Sequence, residues 1–454
     1  MSDDAVSTEG VRWSVVAKCV LVSAIGIGLF LYPMDYNGSR TIGLGILTNE
    51  LSGLIGDQMR YFTVPIFVAG ALVAFVYNLL PTSVVSKLPW RERFVSEHWV
   101  WTLLALMAGV VSSMTLLQLG PEWVVGKGTG VTAYVDVAGA IFLIIGLGCL
   151  FLPFLTDYGL LELVGTLLQR PFQFVFRLPG RATIDTLASW VGASSVAVIM
   201  TSRQYQRGFY TARESAVIAT NFSVVSLPFV YFVSQIAGVS DQFFQLYGSM
   251  ILVCLVCALV TPLLPPLSRV PDRYHEDRES QLHETVPEDR SRMNWAVTRA
   301  LEVGGRAPSP ILSLRSGFAS MVEIFLTMMP VGMSIQFLAL VFYEYTPVFQ
   351  WITYPIVPVL QLLQIPEAVA VAPGVVIGLL DQFVPAVIAG TIDAPLSQFV
   401  LAGLSVTQLI FFAESAVLIT RSPIPLSVPQ LVLIFVIRTI IAVPILAFIG
   451  HQLY

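Results

Sequence analysis

Charge is what this sequence has least of. Asp, Glu, Lys and Arg supply 12% of its 454 residues, against roughly a quarter in ordinary soluble domains, while 56% are hydrophobic. A water-soluble globular fold cannot hide that much apolar surface, so the composition excludes one. Cysteine is equally scarce. Cys19, Cys149, Cys254 and Cys257 all lie in apolar segments, which excludes a disulfide framework. The Cys254 and Cys257 pair has no His and no second pair beside it, so it reads as core packing and no metal site is expected. The four histidines, His98, His275, His283 and His451, fall in loops or at the terminus. HExxH and GxSxG are both absent, and with them any recognisable catalytic constellation, so the reading is that the chain is not an enzyme. Nor is there a strongly basic surface for nucleic acid, the formal net charge being −5. The first residues, MSDDAVSTEG, are acidic and polar, unlike the start of a cleaved signal, and Trp13 to Tyr32 is expected to stay as a first span.

What remains is a succession of apolar runs about 20 residues long, the length that crosses a hydrocarbon core. After the first span come Phe62 to Leu80, Val100 to Leu117 and Thr132 to Phe154, with Thr41 to Arg60 an interfacial or re-entrant piece. Leu160 to Phe176 mixes leucine-rich turns with Glu162, Gln169 and Arg170, which suits a helix lying in the interface. Ile184 to Met200 is short for a crossing, and Ala212 to Ile236 and Phe243 to Leu264 are expected as ordinary spans. The charged, proline-containing stretch from Pro265 to Arg315 reads as a solvated, flexible linker. Beyond it the order returns: a span from Ser316 to Tyr343, an amphipathic Val348 to Leu363, an interrupted Ala368 to Ile392, and spans Pro395 to Ile419 and Val428 to Ile449.

Small signatures support an internal repeat. PFQFVFRLP, with Pro171 and Pro179, is matched in spacing by PVLQLLQIP, with Pro358 and Pro366, and polar strings follow inside apolar runs in both halves. Charge then sets orientation. Lys87, Arg91 and Arg93, together with the arginines of the linker, mark cytoplasmic loops under the positive-inside rule. Arg170, Arg177 and Arg181 precede Ile184 to Met200 and Arg203, Arg207 and Arg213 follow it, so this segment is expected to enter and leave on the cytoplasmic side, with its tip at Gly192 to Ser195. Ala368 to Ile392 is flanked by Glu344, Glu367 and Asp393 and is expected to enter from outside. The fold class expected is therefore all-α and polytopic, with about nine transmembrane helices and two opposed re-entrant hairpins in inverted repeats, in the cell membrane with a cytoplasmic N-terminus.

The strings PFLTDYGLLELVGTLLQRPF, RLPGRATIDTLASWVG, TARESAVIATNFSVVSLP and PPLSRVPDRY resemble the YjiH family of bacterial and archaeal membrane proteins, which carry the Gate, or nucleoside-recognition, domain. The resemblance runs from about Trp13 to the end, is specific between Pro153 and Tyr274, and in the second repeat is one of layout. Relatives of that domain include concentrative nucleoside transporters, ferrous iron permeases and spore maturation membrane proteins. The resemblance implies a transport-type helical fold and names no substrate. It divides the chain into N-terminal helices (1–131), a first Gate-like repeat (132–264), the linker (265–315) and a second Gate-like repeat (316–454). The chain departs from the iron permeases, whose GTPase domain needs GxxxxGK[ST]: the string from Gly120 to Gly128, GPEWVVGKG, is one residue too long and lacks the hydroxyl, so it reads as a loop.

Polar groups within hydrocarbon are expensive unless partnered or wet, so they are the candidates for function. In the first repeat these are Asp185, Ser189, Ser194 and Ser195 on the short segment, then Asn221, Ser223 and Ser226, where Pro228 removes a donor and frees the carbonyl of Val224. In the second they are Asp381, Gln382, Ser405, Thr407, Gln408 and Glu414. The hydroxyls also serve helix packing, whereas Asp381 and Glu414 carry the strongest functional signal, and Asp185 doubles as a cap or ion pair beside Arg181. Glu323 and Arg438, lone charges within their spans, rank lower, as groups that would pair across the bundle. The function these residues suit is ion-coupled secondary transport of a small polar solute, a nucleoside or related metabolite by family analogy, with alternating access between the two hairpins. No cofactor is implied beyond a coupling Na⁺ or H⁺. The alternative is a channel-like or accessory subunit of a larger membrane complex. The partners expected are the lipid bilayer and the solute, with a homo-oligomer or a second membrane subunit left open.

Overall fold

The computed structural model describes residues 13–36, 39–80, 99–191, 194–275 and 291–454. Among these the chain is almost wholly helical, as the lipid solvent requires, because a helix satisfies its own backbone polar groups where no water can. Its strands, Pro33–Tyr36 and Ser39–Ile42, form an antiparallel hairpin in the register Pro33 to Ile42. Seven helical stretches are long and apolar enough to cross a membrane: Trp13–Phe30, Met59–Leu79, Trp99–Leu117, Glu122–Thr156, Ser240–Leu263, Pro310–Tyr345 and Val428–Leu453. Many of their large apolar side chains point outward, such as Leu72, Phe75 and Leu79 on one helix and Ile440 and Phe448 on another, which is a lipid-facing surface.

In chain order the principal helices are α1 (Trp13–Phe30), α2 (Gly43–Ile55), α3 (Met59–Leu79), α4 (Trp99–Leu117), α5 (Ala138–Phe151), α6 (Leu160–Phe176), α7 (Arg181–Val191), α8 (Ser194–Gln206), α9 (Ala212–Asn221), α10 (Leu227–Ile236) and α11 (Phe243–Val260). Then come α12 (Arg292–Arg306), α13 (Pro310–Tyr345), α14 (Val348–Leu362), α15 (Ala368–Ile377), α16 (Val384–Ala389), α17 (Pro395–Thr407), α18 (Ser415–Arg421) and α19 (Val428–Leu453). The sequence of element types recurs: an amphipathic helix (α6, α14), a pair of short helices (α7 and α8, α15 and α16), a helix in two pieces (α9 and α10, α17 and α18) and a long apolar helix (α11, α19).

Two expected spans are not continuous. Ala212 to Ile236 is interrupted between Asn221 and Leu227, where Pro228 cannot donate its helical hydrogen bond and its ring crowds the preceding turn. Pro395 to Ile419 is interrupted between Thr407 and Ser415 without a proline; Leu409 takes φ 56°, which no helix continues. Among the described residues, seven of the nine anticipated spans are continuous apolar helices long enough to cross a membrane, and the other two are divided.

The described part of the charged linker after residue 290 holds a helix where a solvated loop was expected. Ser291 caps α12 by accepting from the amide of Asn294, and α12 packs along α6 and α1 with Ala296 and Gly304 buried. Gly159, at φ +89°, leads into α6, and a side chain there would run into the carbonyl of Ala300 on α12, so this approach needs glycine. Lys18 Nζ donates to Ala307 O at 2.7 Å, and Tyr158 Oη bonds Pro308 O at 3.1 Å and Ser313 Oγ at 2.9 Å. The following helix, α13, begins at Pro310 rather than Ser316; its 36 residues run about 54 Å, well beyond the hydrocarbon thickness.

Candidate functional site

The turn joining α15 to α16, Gly378 to Phe383, is laid against the gap between α17 and α18. Both pieces have backbone groups that no helix satisfies, and each answers the other. Phe412 N donates to Leu379 O at 2.9 Å and Ala413 N to Leu380 O at 3.0 Å. Ser405 Oγ donates to Gln382 O. Gln408 Nε2 donates to Val375 O at 2.8 Å and to Thr439 Oγ1 at 3.0 Å. Ser415 closes the gap from within, donating to Leu409 O at 2.6 Å and accepting from Phe411 N at 3.1 Å. Non-helical backbone at membrane depth is tolerated where, as here, it is buried in protein and bonded across to a neighbouring segment.

The other divided helix is secured by a different group. Arg438, wholly buried, lies about 15 Å along α19 from Val428, near the middle of a span. Its Nη1 donates to Thr220 O at 3.2 Å and Asn221 Oδ1 at 2.8 Å, at the end of α9. Its Nη2 donates to Thr407 O at 2.6 Å, and its Nε to Thr407 O at 3.2 Å and Gln408 O at 3.1 Å, at the end of α17. Asn221 Oδ1 also accepts from Thr261 Oγ1 at 2.9 Å. The expected pairing of Arg438 across the bundle is therefore corrected: among the described residues its guanidinium serves helix ends rather than a carboxylate.

Between these junctions lies a cavity of about 700 Å³. Ser226 and Phe229 reach it from the first divided helix, Asp381 and Gln382 from the turn, and Glu414 from the second divided helix. α5 contributes Ile145 and Cys149, α13 contributes Glu323, and α4 contributes Thr102, so the walls are mostly apolar with a few polar groups facing in. Asp381 is 1% exposed; its Oδ1 accepts from Phe383 N at 2.7 Å within the turn, while its Oδ2 has no hydrogen-bond partner among the described residues. Gln382 Oε1 and Thr102 Oγ1 are likewise without one. Buried polar atoms are rarely left unbonded, because each forfeits its hydration, so these three beside one cavity are exceptions. Arg203 and Arg421, at the ends of α8 and α18, also line the cavity.

Four of the anticipated site residues, Ser226, Asp381, Gln382 and Glu414, thus meet at one cavity. Asn221, Ser405 and Gln408 do not line it and are engaged in the junctions, and Thr407 bonds back to Gly403 O at 2.7 Å while its carbonyl receives Arg438. Ser223 is buried in the first gap and does not line the cavity, and its Oγ has no hydrogen-bond partner among the described residues. Gly192 and Ala193, and the side chains of Asp185, Ser189, Ser194 and Ser195, lie outside the described residues. Thr102 and Cys149 were not anticipated, since nothing in an isolated threonine or cysteine within an apolar helix distinguishes a cavity wall from a packed neighbour.

Comparison with known proteins agrees with this picture. The Gate family, described as nucleoside recognition, matches residues 139–240, which run from α5 to the loop after α10. An uncharacterised protein of Alkalihalophilus pseudofirmus is 36% identical over 440 residues, covering 96% of this chain and 94% of that protein. Among solved structures, the Alcanivorax borkumensis YdaH transporter is 15% identical and aligns over 97% of both chains with a TM-score of 0.22, a value too low to support any argument from its shape.

Proposed function

Taking as premise that the chain belongs to the YjiH-like family of Gate-domain membrane proteins, we propose that it is an ion-coupled secondary transporter of a small polar solute. The observation that carries this reading is the cavity lined by Asp381, Gln382, Ser226 and Glu414, where a turn meets the gaps of two divided helices, the buried Oδ2 and Oε1 beside it having no partner among the described residues. Binding between discontinuous helices near mid-membrane is how many secondary transporters place solute and coupling ion. A cavity of about 700 Å³ is in the range of small-molecule sites and holds a nucleoside-sized guest with water. The family description favours nucleosides or related metabolites, whose hydroxyl and amide groups would bond Asp381, Gln382 and Ser226 while the ring rests on Phe229.

In this reading the two halves are inverted repeats in the cell membrane, with the N-terminus cytoplasmic. The α7 and α8 pair enters from the cytoplasm and the α15 and α16 pair from outside. Access alternates as one or the other moves against the fixed crossing at Arg438, and a Na⁺ or H⁺ gradient drives the cycle. No catalysis is involved. The test is uptake of labelled nucleosides and nucleobases by proteoliposomes with and without an imposed ion gradient. Wild type should accumulate solute only with a gradient, and Asp381→Asn and Glu414→Gln should each lower initial uptake about tenfold or more, the worth of one ~1.4 kcal/mol interaction. Unchanged uptake in both variants would remove the site assignment.

A further inference from the structure

The C-terminal ends of α9 and α17 converge on a single point, and a positive charge sits there. A helix C-terminus carries about half an elementary negative charge in its unsatisfied carbonyls, so two such ends together offset roughly one cation. The acceptors presented are Thr220 O, Asn221 Oδ1, Thr407 O and Gln408 O, all reached by Arg438 at 2.6 to 3.2 Å, with Cys254 Sγ farther off at 3.7 Å. Oxygen cages at half-helix ends are the places where transporters with discontinuous helices bind monovalent cations. Here the cage is filled from the protein's own chain.

We infer that the crossing of α9 and α17 is a cation-binding site whose permanent occupant is the Arg438 guanidinium, and that shortening this side chain exposes a site for a free guanidinium or alkali cation. Three features distinguish a tethered cation from a buried arginine paired in the usual way. First, no carboxylate bonds it among the described residues; its partners there are the carbonyls at the two helix ends, the Asn221 amide oxygen and, at 3.7 Å, Cys254 Sγ. Second, it reaches both half-helix ends at once, which ties the gap of one repeat to the gap of the other. Third, Asn221 offers its oxygen rather than its amide, being held in that sense by donation of Nδ2 to Val217 O at 3.2 Å and by receipt of the Thr261 hydroxyl. A consequence that rests on the transport reading is that a coupling ion, if a metal, binds somewhere other than this crossing.

The test measures binding, not uptake, so it stands apart from the fate of the transport reading. The full chain is purified in detergent as wild type, Arg438→Ala and Arg438→Lys. Its thermal unfolding is followed in guanidinium, methylguanidinium, sodium, potassium and choline chlorides at equal ionic strength, each on the order of 10 mM and so far below denaturing guanidinium. The Ala variant should unfold at a lower temperature and regain about 2 °C or more in guanidinium, sodium or potassium over choline, whereas wild type should respond to none of them. Saturable recovery with one dissociation constant supports the site. A folded Ala variant indifferent to every cation overturns it, as does sodium stabilisation of wild type that vanishes in Asn221→Ala. If Arg438→Ala yields no folded protein, Arg438→Lys decides: its shorter ammonium cannot reach both helix ends, so it should show a smaller recovery in guanidinium alone. Wild-type stability in Arg438→Lys, with no response to any cation, overturns the proposal equally.

Discussion

The two divided helices occupy the same position in the order of their halves, yet they are interrupted by different means. The gap between α9 and α10 follows from Pro228, and its polar side chain Asn221 faces away from the cavity to hold Arg438. The gap between α17 and α18 has no proline; it is opened by a left-handed Leu409, bridged by Ser415 and laced to the turn of α15 and α16. The first half contributes support to the crossing, while the second contributes Asp381 and Gln382 to the cavity lining, residues whose buried Oδ2 and Oε1 have no partner among the described residues. The contrast teaches that a broken helix is a geometric requirement which different residues meet, and that the side chains left over from meeting it are the ones available for binding.

That division can be broken by substitution. The largest effect is expected at Arg438, where truncation takes the guanidinium donors from the carbonyls of Thr220 and Thr407 and one of two donors each from Asn221 Oδ1 and Gln408 O, and should cost on the order of 3 kcal/mol or more, read as lost thermal stability in detergent. Next comes its partner: Asn221→Ala leaves a guanidinium donor without its acceptor and should cost about 2 kcal/mol while uptake per folded molecule is retained. Loss of uptake in a stable Asn221→Ala protein would place a transport role in the first gap. Asp381→Asn should do the opposite, lowering uptake about tenfold with little change in unfolding temperature, because the amide oxygen still accepts from Phe383 N. The smallest effect is expected from Ser415→Ala, which removes two bonds across the second gap and should cost about 1 kcal/mol; a cost as large as that at Asn221 would mean the two gaps are supported alike.

Much of this architecture was legible in the sequence. Apolar run length gave the crossings, the recurrence of proline spacing and polar strings pointed to a repeated order, and the scarcity of intramembrane carboxylates singled out Asp381 and Glu414, both of which line the cavity. The gaps themselves were half legible. Pro228 announces the first, but the second arises from Leu409 adopting φ 56° under tertiary bonds from the α15 and α16 turn, a conformation no local pattern encodes. Arg438 was visible as a lone charge and its role was not, because its partners are backbone carbonyls, which every residue supplies and no sequence marks. The helix within the charged linker was hidden for a related reason: α12 gains its order from burial of Ala296 and Gly304 against α1 and α6, whereas its composition alone reads as solvated.

The most direct test concerns whether the cavity, and not the gap in general, is the place where solute enters. Ser226 lines the cavity, whereas Ser223, in the same gap, is buried and does not line it. In a Cys149→Ser background, needed because Cys149 also lines the cavity, the rate of modification by a small hydrophilic thiol reagent is measured for Ser226→Cys and Ser223→Cys. The account predicts rapid modification of Ser226→Cys, slowed by the transported solute, and slow modification of Ser223→Cys regardless of solute. Equal rates at the two positions, or a rate at Ser226→Cys that solute leaves unchanged, would contradict it.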